Sequence, residues 1–375
     1  MVILVKKAFA VIILLLVAAG GFLVYDQYGK KDDSEGEPSV PAIVVSDSDV
    51  KEAQSETTTE ISEEEFIPSV TIECKNSDIH KGELILVNRD FAYVGESNTS
   101  LSNIYSMKND SYYVNSTSML LETKMINAIN NMLADFQAQT GINNILANSG
   151  YRSVAEQTEL YNADLASTGL ETSELVAPPG NSEHHTGYAM DFAINDGESY
   201  PAVRNEGEYT WIYDNADKYG MILRYTEENK NITGYMAESW HFRYIGKPHA
   251  SIVKQTGMAY EEYIFFLKKF TFEEPLEYKY SDNEFYKIYF VNQNHDSDIT
   301  EVPLTYDAIT STDPEAYSVS GNNMDGFVVT LKVDKLSENY KELSEIVTTA
   351  PEVTETESVS EHVPEDIVTE TTEQE

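Results

Sequence analysis

Apolar and polar positions alternate with two different periods along the middle of this chain. Leu121, Met125, Ile129, Met132 and Phe136 recur at steps of three and four, which predicts an amphipathic helix that Gly141 ends. Residues 145–149 read as a short strand. Ser153 followed by Glu156 forms a capping-box pattern that opens a second helix running to about residue 166. A third helix is expected near 210–219, closed by Gly220, and another over 260–269. Between them, residues 188–194 alternate as a strand does, with Ala189, Asp191 and Ala193 on one face and Tyr188, Met190, Phe192 and Ile194 on the other. Further on, 285–291 and 327–333 look like strands, and no helical period is evident across 276–342. Short strands and helices in this mixed order predict an α+β fold with a short antiparallel sheet and flanking helices, followed by a small β-rich C-terminal module.

The two ends of the chain differ from this body. Residues 8–25 are an unbroken apolar or small run after Lys6 and Lys7. At ~1.5 Å per residue such a run spans about 27 Å, close to the hydrocarbon thickness of a bilayer. The run continues through Phe22, Leu23, Val24 and Tyr25 beyond a possible exit site at 18–21, so an uncleaved single-pass anchor is expected, with cleavage and secretion as the alternative. Lys6 and Lys7 favour an inside N-terminus and place everything after the anchor outside the cell. Residues 32–70 carry a net charge of −11 and 343–375 carry −10, out of −39 for all 375 residues. Both stretches lack a sustained apolar period and are expected to be flexible. The domain reading is therefore an anchor at 1–31, a linker at 32–70, a folded body at 71–275, a β module at 276–342 and a tail at 343–375.

Charge also excludes functions. The chain has 25 Lys and Arg against 64 Asp and Glu, and no basic stripe offsets the excess, so nucleic acid is not a partner. Cys74 is the single cysteine, which rules out an intrachain disulfide and a cysteine-rich metal site. It reads as a half-buried small apolar residue.

The chemistry is concentrated in two segments. Residues 182–191 read Ser-Glu-His-His-Thr-Gly-Tyr-Ala-Met-Asp, and residues 238–241 read Glu-Ser-Trp-His. Two imidazoles (His184, His241) and one carboxylate (Asp191) can hold zinc with a position left open for water, and Glu238 is a spare carboxylate to act as base. Gly187 would let the backbone turn sharply between His184 and the following strand. On that second segment strict alternation puts His241 and Arg243 on one face and separates Glu238 from His241. A bend or bulge between them is required if both reach one metal. His185 is expected to face solvent or to back a ligand, and His80, His249, His295 and His362 to lie on the surface.

These motifs, with Ser149-Gly150-Tyr151-Arg152-Ser153, Gln157, the lead-in Ala177-Pro178-Pro179-Gly180 and the run Phe242-Arg243-Tyr244-Ile245-Gly246, resemble the VanY-type D-alanyl-D-alanine carboxypeptidases of the M15 metallopeptidase family. The resemblance covers roughly 71–270, a little over half the chain. One departure is Ser239, where that family commonly has Pro. The resemblance implies a zinc enzyme that removes the terminal D-alanine from peptidoglycan stem peptides, with D,D or L,D preference open. It implies that Arg152 stabilises the oxyanion while Ser182 and Gln157 contact the substrate, although a turn hydroxyl and a helix-surface amide are equally good readings of those two. An endopeptidase and a catalytically silent zinc-stabilised wall-binding module are the competing readings, and a monomer is expected.

Overall fold

The computed structural model describes residues 69–95, 100–173 and 175–349. The anchor expected at 8–25, most of the acidic linker, most of the acidic tail and His362 lie outside them. No helix among the described residues is long and apolar enough to cross a membrane.

The strands, in chain order, are β1 (Ser69–Lys75), β2 (Leu101–Asn103), β3 (Tyr113–Val114), β4 (Leu120–Glu122), β5 (Ile145–Ser149), β6 (Ala189–Ile194), β7 (Met221–Tyr225) and β8 (Glu238–Tyr244), then β9 (Leu276–Ser281), β10 (Glu284–Asn292), β11 (Ile299–Thr305), β12 (Tyr317–Gly321) and β13 (Gly326–Val333). The main helices are α1 (Thr123–Thr140), α2 (Val154–Thr168), α3 (Thr210–Asn215), α4 (Lys247–Thr256) and α5 (Tyr260–Leu267). The expected α+β class is what the chain adopts.

A five-stranded sheet in the order β3-β5-β6-β8-β7 carries the chemistry. Only the β3–β5 pair is parallel; the rest is antiparallel. Helix α1 lays Met125, Ile129, Met132 and Phe136 against one face of this sheet, where Tyr188, Met190, Phe192 and Phe242 meet them in one core. The alternation of β6 therefore sorts as its sequence implies, bulky residues inward and Asp191 on the opposite face. Gly141 ends α1 with φ +76°, and Gly169 ends α2 with φ +71°. Ser153 caps α2 through a complete capping box with Glu156, which fixes the chain direction just after Arg152. The helix expected over 210–219 is split: α3 stops at Asn215 and a 3-10 turn, Ala216–Tyr219, completes it before Gly220.

A second, four-stranded antiparallel sheet runs β12-β13-β10-β9, and β11 pairs with β1 from the start of the described region. Helices α4 and α5 lie in a core shared by both parts, in which Ile252, Tyr263 and Phe266 pack with Leu84, Leu86, Ile288 and Val328. Residues 276–342 do contain a helical turn, Tyr306–Thr310, which the sequence reading missed. It is too short to show a period, and Thr305 caps it by accepting from Ala308 N. His249, expected on the surface, is instead buried: Tyr263 Oη and Thr330 Oγ1 satisfy its two ring nitrogens at 2.7 and 2.8 Å. A lone histidine gives no sign in sequence of partners 14 and 81 residues away. His80 is half-buried against Asn323 Oδ1, while His295 is exposed as expected.

Gly187 has φ +75°, and a Cβ there would lie 2.5 Å from Leu101 Cδ2. Gly180 also has positive φ (+90°) but open space around it. Gly180→Ala should therefore cost only the conformational penalty of about 1–2 kcal/mol. Gly187→Ala must add a steric cost to that and should show the lower urea midpoint of the two. Equal midpoints would mean that the Leu101 contact is not tight.

Candidate active site

Asp191 and His241 stand directly opposite each other on β6 and β8. Their side chains meet with His241 Nδ1 3.1 Å from Asp191 Oδ1. His184 reaches the same carboxylate from a 3-10 turn, Glu183–Thr186, with Nε2 3.3 Å from Asp191 Oδ2. One ligand atom from each of His184, Asp191 and His241 lies within 4.8 Å of the other two. Two imidazoles and one carboxylate suit zinc in a three-ligand site that leaves a position open.

The turn that delivers His184 is built locally. Ser182 Oγ accepts from His184 N, and Gly187 takes the left-handed conformation that releases the chain into β6. His184 Nδ1 donates to Gly150 O at 2.7 Å, so its Nε2 is the nitrogen free to ligate. Gly150 is itself packed closely against β4, since a Cβ there would come within 2.9 Å of Leu120 O. Burial lowers the His184 pKa and keeps the ring neutral, as a ligand must be.

Glu238 reaches the same cleft through an irregularity in β8. Tyr225 pairs with Glu238 and Leu223 with Phe242, a step of two residues on β7 against four on β8. This is the bulge that strict alternation demanded, and it brings Glu238 Oε2 to 3.6 Å from His241 Nδ1. Burial, and then the nearby Asp191 and Glu183 carboxylates, push the Glu238 carboxyl up to about 7, despite the opposing effect of His241. A base poised near neutrality is suited to proton transfer at ordinary pH.

Arg152 lies at the turn before α2 and faces the same cleft, which has a volume of about 190 Å³. Its Nη1 donates to Gln157 Oε1 at 2.7 Å and its Nη2 to Ser149 Oγ at 2.8 Å, leaving three of its five N–H donors for other acceptors. Gln157 is buried and also donates to Ala177 O, so it holds the guanidinium in place rather than lying on the helix surface. Ser182 borders the cleft while capping the His184 turn. His185 does not face solvent: its Nδ1 donates to Arg152 O and its Nε2 accepts from Gly180 N, which ties the 178–180 turn to the backbone of Arg152. Of the two places expected for His185, the structure takes the one behind the site.

Several residues of the site escaped the sequence reading. Tyr225 borders the cleft with its ring 5.0 Å from that of His241, and Tyr235 borders it too. Behind His241, Glu183 is fully buried and bonded to Arg224 and Arg243. Glu183 sits beside His184 in the diagnostic segment, and that adjacency was the one available signal. Arg224 lies in a segment with no motif of its own.

A model of the VanY family, D-alanyl-D-alanine carboxypeptidase, matches residues 118–247, a span that contains Arg152 and all of the cluster. A D-alanyl-D-alanine carboxypeptidase of Enterococcus faecium is 31% identical over 258 residues, covering 68% of this chain and 76% of that protein. The chain belongs to the VanY family. The bifunctional D-Ala-D-Ala dipeptidase and D-Ala-D-Ala carboxypeptidase VanXYC of Enterococcus gallinarum is 38% identical over 119 residues, 30% of this chain and 63% of that protein. Among solved structures, the vancomycin resistance D,D-dipeptidase VanXYg, crystallised with a D-Ala-D-Ala phosphinate analogue, superimposes with a TM-score of 0.62 at 29% identity. It covers 71% of this chain and all of that one. As a VanY-family member the chain is a metallopeptidase, and the cluster found from geometry coincides with the residues that carried the resemblance.

Without a cation, burial disfavours the charged His241 ring, but its hydrogen bonds to Asp191 and Glu183 outweigh that and raise its pKa to about 10. A metal at His241 Nδ1 must then displace a proton throughout the neutral range. Because the raised pKa favours the proton below pH 10, affinity must rise with pH. The apparent zinc affinity of this VanY-family site should gain about tenfold per pH unit from His241 alone. Chelator competition between pH 6 and 8 measures this, and a flat profile would contradict it. His184→Ala and His241→Ala should each lower metal content in elemental analysis.

Proposed function

We propose that the chain is a zinc-dependent D,D-carboxypeptidase that releases the terminal D-alanine of peptidoglycan stem peptides. The observation that carries this reading is the placing of a buried, near-neutral carboxyl (Glu238) and a positioned guanidinium (Arg152) in one cleft with the His184, Asp191 and His241 cluster. A merely structural metal site needs neither of those two groups, which disfavours the silent binding module.

His184, Asp191 and His241 would hold the zinc. When bound, zinc supplies Lewis acidity that polarises the scissile carbonyl and makes water nucleophilic near neutral pH. Glu238 accepts the proton of the attacking water and returns it to the leaving amine, the sequence of roles for which a pKa near 7 is suited. Arg152 faces the carbonyl oxygen with its unspent N–H groups as negative charge develops there, and Gln157 and Ser149 keep it from swinging away. Ser182 borders the cleft and offers a hydroxyl donor to the free C-terminal carboxylate of the stem. The VanXYg relative, crystallised with a D-Ala-D-Ala phosphinate analogue, supports this substrate class.

The proposal also places the enzyme at the cell surface. Residues 8–25 would anchor it, and 32–70 would tether the catalytic part outside the membrane, where stem peptides are exposed. Support comes from the length of the apolar run and from Lys6 and Lys7 before it.

Glu238→Gln should keep both fold and bound zinc while losing turnover, because it preserves shape and removes the base. Arg152→Ala should lower kcat by about 10²–10³, the usual effect of deleting an oxyanion donor. On defined muropeptides analysed by mass spectrometry, a single D-alanine should leave free-acid stems, and C-terminally amidated stems should react far more slowly. Equal rates on the two would transfer the assignment to an endopeptidase, and near-wild-type turnover by Glu238→Gln would restore the binding module.

A further inference from the structure

We infer that Glu183 is a positioning residue for the metal: it fixes His241 in the tautomer that presents Nδ1 to the cation. The inference rests on the metallopeptidase reading above and extends it to a residue outside the ligand set, bonded to His241 from behind. Each ring nitrogen of His241 faces a carboxylate at 3.1 Å, Asp191 at Nδ1 and Glu183 at Nε2. A neutral imidazole carries one proton. Placed on Nδ1, it would leave the Nε2 lone pair against the Glu183 carboxylate, with repulsion and no cation between them. Placed on Nε2, it gives Glu183 a donor and turns the lone pair towards Asp191 and His184. The two histidines thus ligate through opposite nitrogens, His184 through Nε2 because Gly150 O holds its Nδ1.

Glu183 is itself held against any alternative. Its Oε1 accepts from Arg224 Nε at 2.8 Å and Arg243 Nη1 at 3.1 Å, which leaves Oε2 for His241. Two guanidiniums thus face one oxygen of this buried carboxylate and pair its charge. Arg224 in turn makes a bidentate pair with Glu261 on α5. Two carboxylates and two guanidiniums balance, so the cluster is neutral before His241 is counted.

Glu183→Gln tests the idea through chemistry rather than bulk. An amide has one acceptor oxygen, which the two arginines claim, so its NH₂ must face His241 Nε2. A donor there favours the tautomer protonated on Nδ1, the wrong one for the metal. Zinc affinity, measured by competition with a chromophoric chelator, should fall about ten- to a hundredfold, as is usual when the group behind a ligating histidine is removed. Glu261→Gln is the control, since it deletes the same charge from the same cluster without touching His241. It should lose thermal stability yet keep zinc affinity close to wild type. Should either variant fail to fold, ¹⁵N-histidine NMR of the zinc-loaded wild type still decides, with His241 expected to carry its proton on Nε2. Wild-type affinity in Glu183→Gln, an equal loss in Glu261→Gln, or a proton on Nδ1 of the wild type would each overturn the inference. Wild-type protein that binds zinc but releases no D-alanine would instead sink the proposed function and leave this comparison intact.

Discussion

A carboxylate with no access to water organises this site. Glu183 ties five pieces of chain together: its own turn, which carries His184; β8 through His241 and Arg243; β7 through Arg224; and, one bond further out, α5 through Glu261 and residues 83–85 through the carbonyls that Arg243 Nη2 binds. Removing water from such charges costs several kcal/mol per ion, and only near-complete pairing offsets that. The cost constrains the fold, because every one of these segments must arrive before all of the charges are satisfied. It also explains why the ligand cluster is ordered by its surroundings: the positions of His184 and His241 follow from a network behind them, while the cleft in front stays free for substrate.

Much of this was legible in the sequence because it is local. The α1 period, the Ser153 and Glu156 capping box and the Tyr188, Met190 and Phe192 face of β6 each depend on residues a few positions apart, and each sorts as read. The grouping of His184, Asp191 and His241 was legible for another reason: spacing within each segment matches a known chemical pattern. The need for a bulge between Glu238 and His241 could be stated from alternation alone, but its form could not, since it depends on how β8 pairs with β7. What stayed hidden is long-range and polar. Arg224 meets Glu261 37 residues away, and His249 meets Thr330 81 residues away; neither leaves a periodic trace.

Residues 276–333 acquire a structural role through α5. One side of that helix offers Glu261 to Arg224, and its apolar residues Tyr263, Ile264 and Phe266 pack in the core that contains Leu276, Ile288 and Val328. The β-rich region thus supports the helix that neutralises Arg224, which holds the carboxylate behind His241. A sheet with no chemical group in the cleft is in this way connected to the metal ligands by four successive contacts. Cavities opened in that shared core, far from the cleft, act on the same helix that the ligand network uses.

The same burial has opposite consequences for the carboxylates of the site, and this division gives each its task. Asp191 lies between two imidazoles, which overcome desolvation and hold it ionised, below the usual range, as a ligand requires. Glu183 is kept ionised by two guanidiniums. Glu238 has no direct guanidinium partner. Burial therefore dominates, Asp191 and Glu183 add repulsion, and its affinity for a proton rises to about 7. Arg152 is near enough to moderate that rise, but its hydrogen bonds go to Gln157 and Ser149 instead. Tying the guanidinium to neutral oxygens leaves Glu238 basic and keeps the positive charge available for an oxyanion. Had Arg152 paired with Glu238, each would have cancelled the property for which the other is suited. The placement of Gln157 and Ser149 is what holds the acid–base group and the oxyanion donor apart in a cleft small enough to hold both.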